Sequence, residues 1–231
     1  MSRELSRDES SRSLAVHWTN PLLSRICSNA LPYAIAKEKI DSDQADSHYQ
    51  DGCELYEKKE YDEAIERFVM AAELGHCEAQ IKLAQIFLEG IPDQEVDFVD
   101  HRRAFAWYER AAAQGSTHAQ LKLGWMCEAG LGHPKDSRRA VYWYRLAAEA
   151  GNPDAQFNIG VKYDNGEGVE HNPEEAVRWF TMAAEQGHAD ARYFLGQAYE
   201  IGDGVEKDIQ EALDWYILAI EVGQSAARRR F

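Results

Sequence analysis

The sequence predicts an all-α chain of stacked helix hairpins, and three observations carry that prediction. Trp107, Trp143, Trp179 and Trp215 recur every 36 residues. Eight residues after each stands a glycine (Gly115, Gly151, Gly187, Gly223), and four further on an alanine (Ala119, Ala155, Ala191, Ala227), with no slip in phase. Between these marks two apolar stripes of helical period alternate. Ala155, Ile159 and Tyr163 fall at i, i+4 and i+8, then Ala176, Trp179 or Phe180, and Ala183 at i, i+3 or i+4, and i+7. A tandem array of this kind buries its core only by stacking neighbours, so a solenoid of about five helix-turn-helix units is expected.

In chain order, residues 1–20 open with Ser, Arg and acidic side chains and no apolar period, which predicts a flexible arm. Leu14 to Val16 gives three apolar residues before His17, short of the about 7 to 15 of a secretory signal. No later stretch approaches the length of a membrane span. Residues 21–43, with Leu22, Leu23, Ile26, Leu31, Tyr33, Ile35 and Ala36, are apolar enough to fold as a helical cap on the first unit or to cover part of the groove. The repeat domain is expected over 44–231. Its first unit (Gly52, Tyr61, Ala64, Phe68, Ala71) has Arg67 where the tryptophan belongs. Its second has four extra residues, since Gly90 to Trp107 spans 17 positions against 13 from Gly166 to Trp179, and the stretch Asp93–Asp100 is expected to loop out.

The punctuation has a mechanism. Gly166 and Gly168, with their echoes Gly130, Gly132, Gly202 and Gly204, can take positive φ where the first helix of a unit ends. Asn172 before Pro173 suits an N-cap followed by proline, and Asp136 and Asp208 hold comparable starts.

The combined pattern, Ala-x-x-x-Leu/Ile-Gly-x-x-Tyr, Gly-x-Gly-Val, then Ala-x-x-Trp-Tyr-x-x-Ala-Ala-x-x-Gly, resembles the Sel-one-like repeat, a relative of the tetratricopeptide repeat, over residues 44–227. The resemblance implies a right-handed α/α superhelix whose first helices line a concave face. It also implies that recurrent aromatics such as Trp179 and Tyr144 belong to the core.

Charge and chemistry narrow the function classes. Residues 1–40 carry six basic and four acidic side chains and Arg228–Arg230 three basic ones, so residues 41–227 hold −20 against −15 for the whole chain. That acidity opposes phosphate backbones and anionic membranes and favours basic partners. Cys27, Cys53, Cys77 and Cys127 fall out of phase with the repeat, unlike the cysteine pairs of exported family members, so no disulfide framework and a cytoplasmic location are expected. The eight histidines form no His-x-x-x-His pair, and there is no Cys-x-x-Cys, Gly-x-Ser-x-Gly or phosphate loop, so no metal, cofactor or catalytic role is assigned.

Binding residues are then sought on the first helix of each unit. With Gly52, Ala84, Gly124, Gly160 and Gly196 as position 0, the positions −3, +1 and +4 are assigned to the inner surface. They are Tyr49, Cys53 and Tyr56; Ile81, Gln85 and Leu88; Leu121, Trp125 and Glu128; Phe157, Val161 and Asp164; Tyr193, Gln197 and Glu200. Leu121, Trp125, Phe157, Val161 and Tyr193 make an apolar centre with Trp125 as anchor, and Glu128, Asp164 and Glu200 flank it. The expected function is a protein-binding adaptor or regulator whose partner presents an apolar ridge with Lys or Arg beside it, and not an enzyme. An inhibitor that neutralises one toxic enzyme, and a hydrolase like that proposed for disulfide-rich family members, are the alternatives. The end near Phe231 is a second candidate contact, including a homodimer.

Overall fold

The computed structural model describes residues 30–91 and 99–221, with side chains from residue 41 on. The chain divides into two compact units, 1–41 and 42–231. The described residues form ten α-helices and no strand: α1 (Ala30–Glu57), α2 (Tyr61–Glu73), α3 (Cys77–Glu89), α4 (His101–Ala113), α5 (Thr117–Ala129), α6 (Ser137–Glu149), α7 (Pro153–Asn165), α8 (Pro173–Glu185), α9 (Ala189–Ile201) and α10 (Ile209–Glu221). They pair in sequence order into five hairpins, giving the all-α repeat superhelix expected. The arm at 1–20, the extra loop residues 93–98 and the end at 222–231 lie outside the described residues. At the expected capping segment, helix begins at Ala30 and runs unbroken into the first unit.

One contact recurs in four of the five hairpins, where the second helix inserts an aromatic ring beside a glycine at position 0 of the first and a side chain would collide with it; the second hairpin has Ala84 there. A Cβ on Gly52, Gly160 or Gly196 would stand 2.7, 2.6 or 2.8 Å from the rings of Phe68, Phe180 and Tyr216, and Gly124 faces Tyr144 in the same way. These rings are almost fully buried, whereas the neighbouring Trp107, Trp143 and Trp215 are half-buried. The residue after each recurrent tryptophan fills the core of its hairpin, and of these tryptophans Trp179 alone is itself buried.

Hairpins are joined by a second recurring contact, made by polar side chains at position −4. Gln80, Gln120 and Gln156 are buried, and each donates its amide back to a carbonyl near the end of the preceding helix: Ala72 (3.0 Å), Ala112 (3.4 Å) and Ala148 (3.2 Å). Arg192 does the same to Ala184 (3.0 Å). These carbonyls, in the last turn of the helix, also accept from the backbone N–H of the turn glycines Gly75, Gly115, Gly151 and Gly187, and the side chain from the next repeat uses their second lone pair.

The caps include the three the sequence indicated and several it did not, and Glu60 before α2 gives no side-chain cap. Asp136, Asn172 and Asp208 cap α6, α8 and α10 by accepting from backbone N–H groups two or three residues on. The other helices start at Asp100, Ser116 and Asn152 or, for α3 and α9, at His76 and His188, whose Nδ1 atoms accept from Ala79 (3.1 Å) and Ala191 (3.2 Å). The proton then resides on Nε2, which faces Asp46 (3.3 Å) and Asp154 (3.4 Å) respectively.

Gly151 and Gly168 separate two costs. Both have positive φ, +91° and +79°, but a Cβ on Gly151 meets open space whereas one on Gly168 would press into the Ser137 carbonyl at the start of α6. Gly151→Ala should lower stability by about 1 kcal/mol, the strain of the left-handed backbone alone. Gly168→Ala should cost about 2 kcal/mol more, because backbone must move. Urea unfolding followed by circular dichroism checks the order.

Candidate functional site

Along the first helices α3, α5, α7 and α9 the consistently exposed positions are the two ends, −6 and +5, and between them Trp125 at +1 is the one exposed residue. Every residue at −6 (Asp46, Glu78, His118, Asp154, Asp190) and at +5 (Glu57, Glu89, Ala129, Asn165, Ile201) is exposed. Positions −3 and +4 are half-buried or buried throughout. Of the positions assigned to the inner surface in the sequence, +1 alone carries an exposed residue, Trp125.

Trp125 is the residue that the sequence reading and the structure share most fully. It is 44% exposed and lines a cavity of about 490 Å³ with Leu121 and Leu131, while Glu89, Lys122, Asp154 and Asn158 stand around it. Lys122 lies 4.0 Å from Glu89. Gln85, Val161, Gln197 and Cys53 share position +1 and are half-buried.

The remaining assigned residues are engaged elsewhere. Leu88 is only 7% exposed, packed into the core at the floor of the Trp125 cavity, and Ile81 is equally buried. Tyr49 stacks on the capping ring of His76 (4.4 Å between centroids) and Phe157 on that of His188 (4.7 Å), so these aromatics join successive repeats. Where the cap is Ser116 or Asn152, position −3 of the preceding unit is aliphatic, Ile81 or Leu121. Burial pushes the Tyr49 hydroxyl up to about 12, as expected of a packed ring. Tyr193 packs against Tyr216 (5.6 Å), and Tyr56 against Tyr61 (5.0 Å) with Lys82 over its ring (4.4 Å). Glu200 accepts from the Tyr216 hydroxyl (2.7 Å), and Glu128 from that of Tyr144 (2.9 Å). These two carboxylates serve the hairpins and are not free flanks of a groove.

Residues 77–116, 117–152, 153–188 and 189–223 match the Sel1 repeat family model. The chain belongs to the Sel1 repeat family. Similar solved structures include a Sel1 repeat protein from Oxalobacter formigenes, 32% identical with a TM-score of 0.68, covering 79% of this chain and 73% of that one. A protective antigen of uropathogenic Escherichia coli with an SLR fold is 39% identical with a TM-score of 0.66, over 71% of this chain and 34% of its own. A chitin synthase regulator of Malassezia restricta is 34% identical over 73 residues, which make up 32% of this chain but only 5% of that protein. Sel1 repeat proteins are mostly non-enzymatic scaffolds that serve protein–protein interaction. The first hairpin, whose pattern departs from the others, lies outside the four matched units.

Among these Sel1 repeats the second and third are joined by a feature that sequence reasoning missed. Lys162 occupies position +2 of α7, where α3 and α5 have the buried Ile86 and Met126. It is 3% exposed and donates to Glu128 of the preceding repeat and to Glu167 (2.7 Å) of its own. Burial pushes the Lys162 ammonium down, but its hydrogen bonds to the two carboxylates outweigh that and leave it above the usual lysine range. The same bond holds the Glu167 carboxyl below its ordinary range. One repeat further, burial and the charge of Asp203 push the Asp164 carboxyl up. A lone lysine in a helix reads as surface, and only its recurrence at a core position could have flagged it.

Lys162→Met should cost about 1 kcal/mol near neutral pH, since it removes the cation shared by two partly exposed carboxylates. Adding Glu128→Gln should restore at least half. A carboxyl whose pKa is lowered on folding stabilises above its unfolded value and loses that contribution as pH falls through the folded one. A lysine whose pKa is raised contributes below its unfolded value and loses it as pH climbs through the folded one. The gap between wild type and Lys162→Met in urea midpoint should therefore be widest near neutrality and shrink both in acid, as Glu167 protonates, and in strong base.

Proposed function

We propose that this chain is a protein-binding scaffold, an adaptor or regulator, that holds an extended segment of a partner protein across α3, α5, α7 and α9. Trp125 is the observation that supports the reading best. A tryptophan with nearly half its surface exposed, set in a cavity with Leu121 and Leu131, costs solubility and has no packing role to offset it. Tryptophan in such a pocket is the residue type that most often anchors an interface. The rim selects the partner's charge, because Glu78, Glu89, Asp154 and Asp190 lie on the same exposed face. A segment with an apolar residue over Trp125 and Lys or Arg beside it meets both features. The short match to a chitin synthase regulator is in keeping with a regulator's role.

Selection from a display library of random twelve-residue peptides tests this. Wild type should enrich sequences with an aromatic or aliphatic residue flanked by Lys or Arg. Trp125→Ala should bind the winners with an affinity lower by about 2 kcal/mol, some thirtyfold, while helicity and urea midpoint stay within about 0.5 kcal/mol of wild type. Enrichment of acidic peptides, or equal binding by the variant, would contradict the proposal.

A further inference from the structure

The repeat lets one junction serve as the reference for the next. A shift of one 36-residue unit carries Glu128 to Asp164, Glu167 to Asp203, Lys162 to Ala198 and Tyr144 to Phe180. At the first junction two carboxylates meet two donors, the Lys162 ammonium and the Tyr144 hydroxyl. At the second both acids are kept and both donors are replaced by side chains that cannot donate. The volume vacated by the lysine is open. A cavity of about 210 Å³ is lined by Ala198, Phe180, Phe194, Ile201, Asp164 and Asp203, several times the roughly 30 Å³ share of one water molecule.

The two acids have no internal cation to settle them. His171 donates its Nδ1–H to the Asp164 backbone carbonyl (2.6 Å) and forms no ion pair with the carboxyl. Among the described residues no side-chain cation forms an ion pair with Asp164 or Asp203. Asp164 is left half-buried beside another acid, which is why its carboxyl is pushed up. Ile201, 67% exposed, is among the lining residues, so the cavity is open to solvent.

We propose that this cavity receives an alkylammonium group, and that its source is a lysine side chain presented by the bound partner. The walls suit that group: Phe180, Phe194 and Ile201 cover an aliphatic stem, and the two carboxylates accept from the ammonium. The molecule already makes this arrangement with its own lysine one repeat earlier. The choice of a protein lysine as the source rests on the binding function proposed above, but the chemistry of the cavity does not.

The test uses n-butylammonium as probe and n-butanol as its uncharged counterpart, followed by methyl resonances of Ile201, Val177 and Ala198 in the full chain. Butylammonium should shift them saturably, with butanol about tenfold weaker. Asp203→Asn should weaken butylammonium by about tenfold. Ala198→Lys should abolish its binding, because the new side chain fills the cavity, and should raise Tm relative to Ala198→Met. An end-blocked Ala-rich peptide with one central lysine should compete with butylammonium, and its acetyl-lysine form should not. No saturable shift, equal shifts with butanol, or unchanged binding in Ala198→Lys would overturn the cavity's chemistry. Binding of butylammonium without competition by the peptide would overturn the assignment to a protein lysine. Failure of the general binding function would show separately, as loss of peptide selection by wild type.

Discussion

Everything on the surface of this chain depends on how a ring of the second helix seats beside position 0 of the first. Phe68, Tyr144, Phe180 and Tyr216 each press where Gly52, Gly124, Gly160 and Gly196 lack a side chain. The contact brings the two helices close and fixes the rotation of the first about its own axis. Rotation decides which residues face water, so a packing constraint inside the hairpin sets the chemistry of the outer face. The slot is tight enough that interiors of ordinary packing density leave no slack for a different angle.

The fold was legible because its signals are local and repeated. Spacing of Trp and Gly gave the period, and Asp136, Asn172 and Asp208 marked helix starts by a chemistry that needs only adjacent backbone. The binding face was only partly legible, because helical periodicity identifies a stripe but not the angle at which a neighbour grips it. Trp125 at position +1 is exposed, Leu88 at +4 is buried and Glu128 at +4 accepts from the Tyr144 hydroxyl, and Asp154 and Ile201 at the helix ends are exposed instead. Tyr49 and Phe157 misled for a related reason. Each is an aromatic at a variable position, which suggests a ligand contact, yet each is matched to a histidine cap in the following repeat and serves the stack.

Polar residues carry much of the array's specificity. Gln80, Gln120 and Gln156 read as surface residues in sequence and are buried donors in the structure, holding one repeat to the last. A buried amide must find its partner, so a slipped register would leave the glutamine N–H donors unpaired. Lys162 adds a stricter condition at one junction, since a buried ammonium tolerates only the arrangement that supplies its carboxylates. Successive junctions share a backbone but differ at this point: Leu88 and Leu131 make one apolar, Glu128, Lys162 and Glu167 make the next an internal ion cluster, and Asp164 and Asp203 make the last acidic. A repetitive scaffold thereby offers a partner a non-repetitive row of sites.

The orientation of the first helices is the central claim, and hydroxyl-radical footprinting read by mass spectrometry measures it most directly. Pairs of one residue type cancel intrinsic reactivity: Trp125 against Trp179, which is 8% exposed, and Ile201 against the fully buried Ile159. The structure predicts that Trp125 and Ile201 oxidise several times faster than their partners, with Leu88 protected. Comparable rates within each pair, or a reactive Leu88, would mean that the first helices are turned otherwise and that the face assigned to binding is the wrong one.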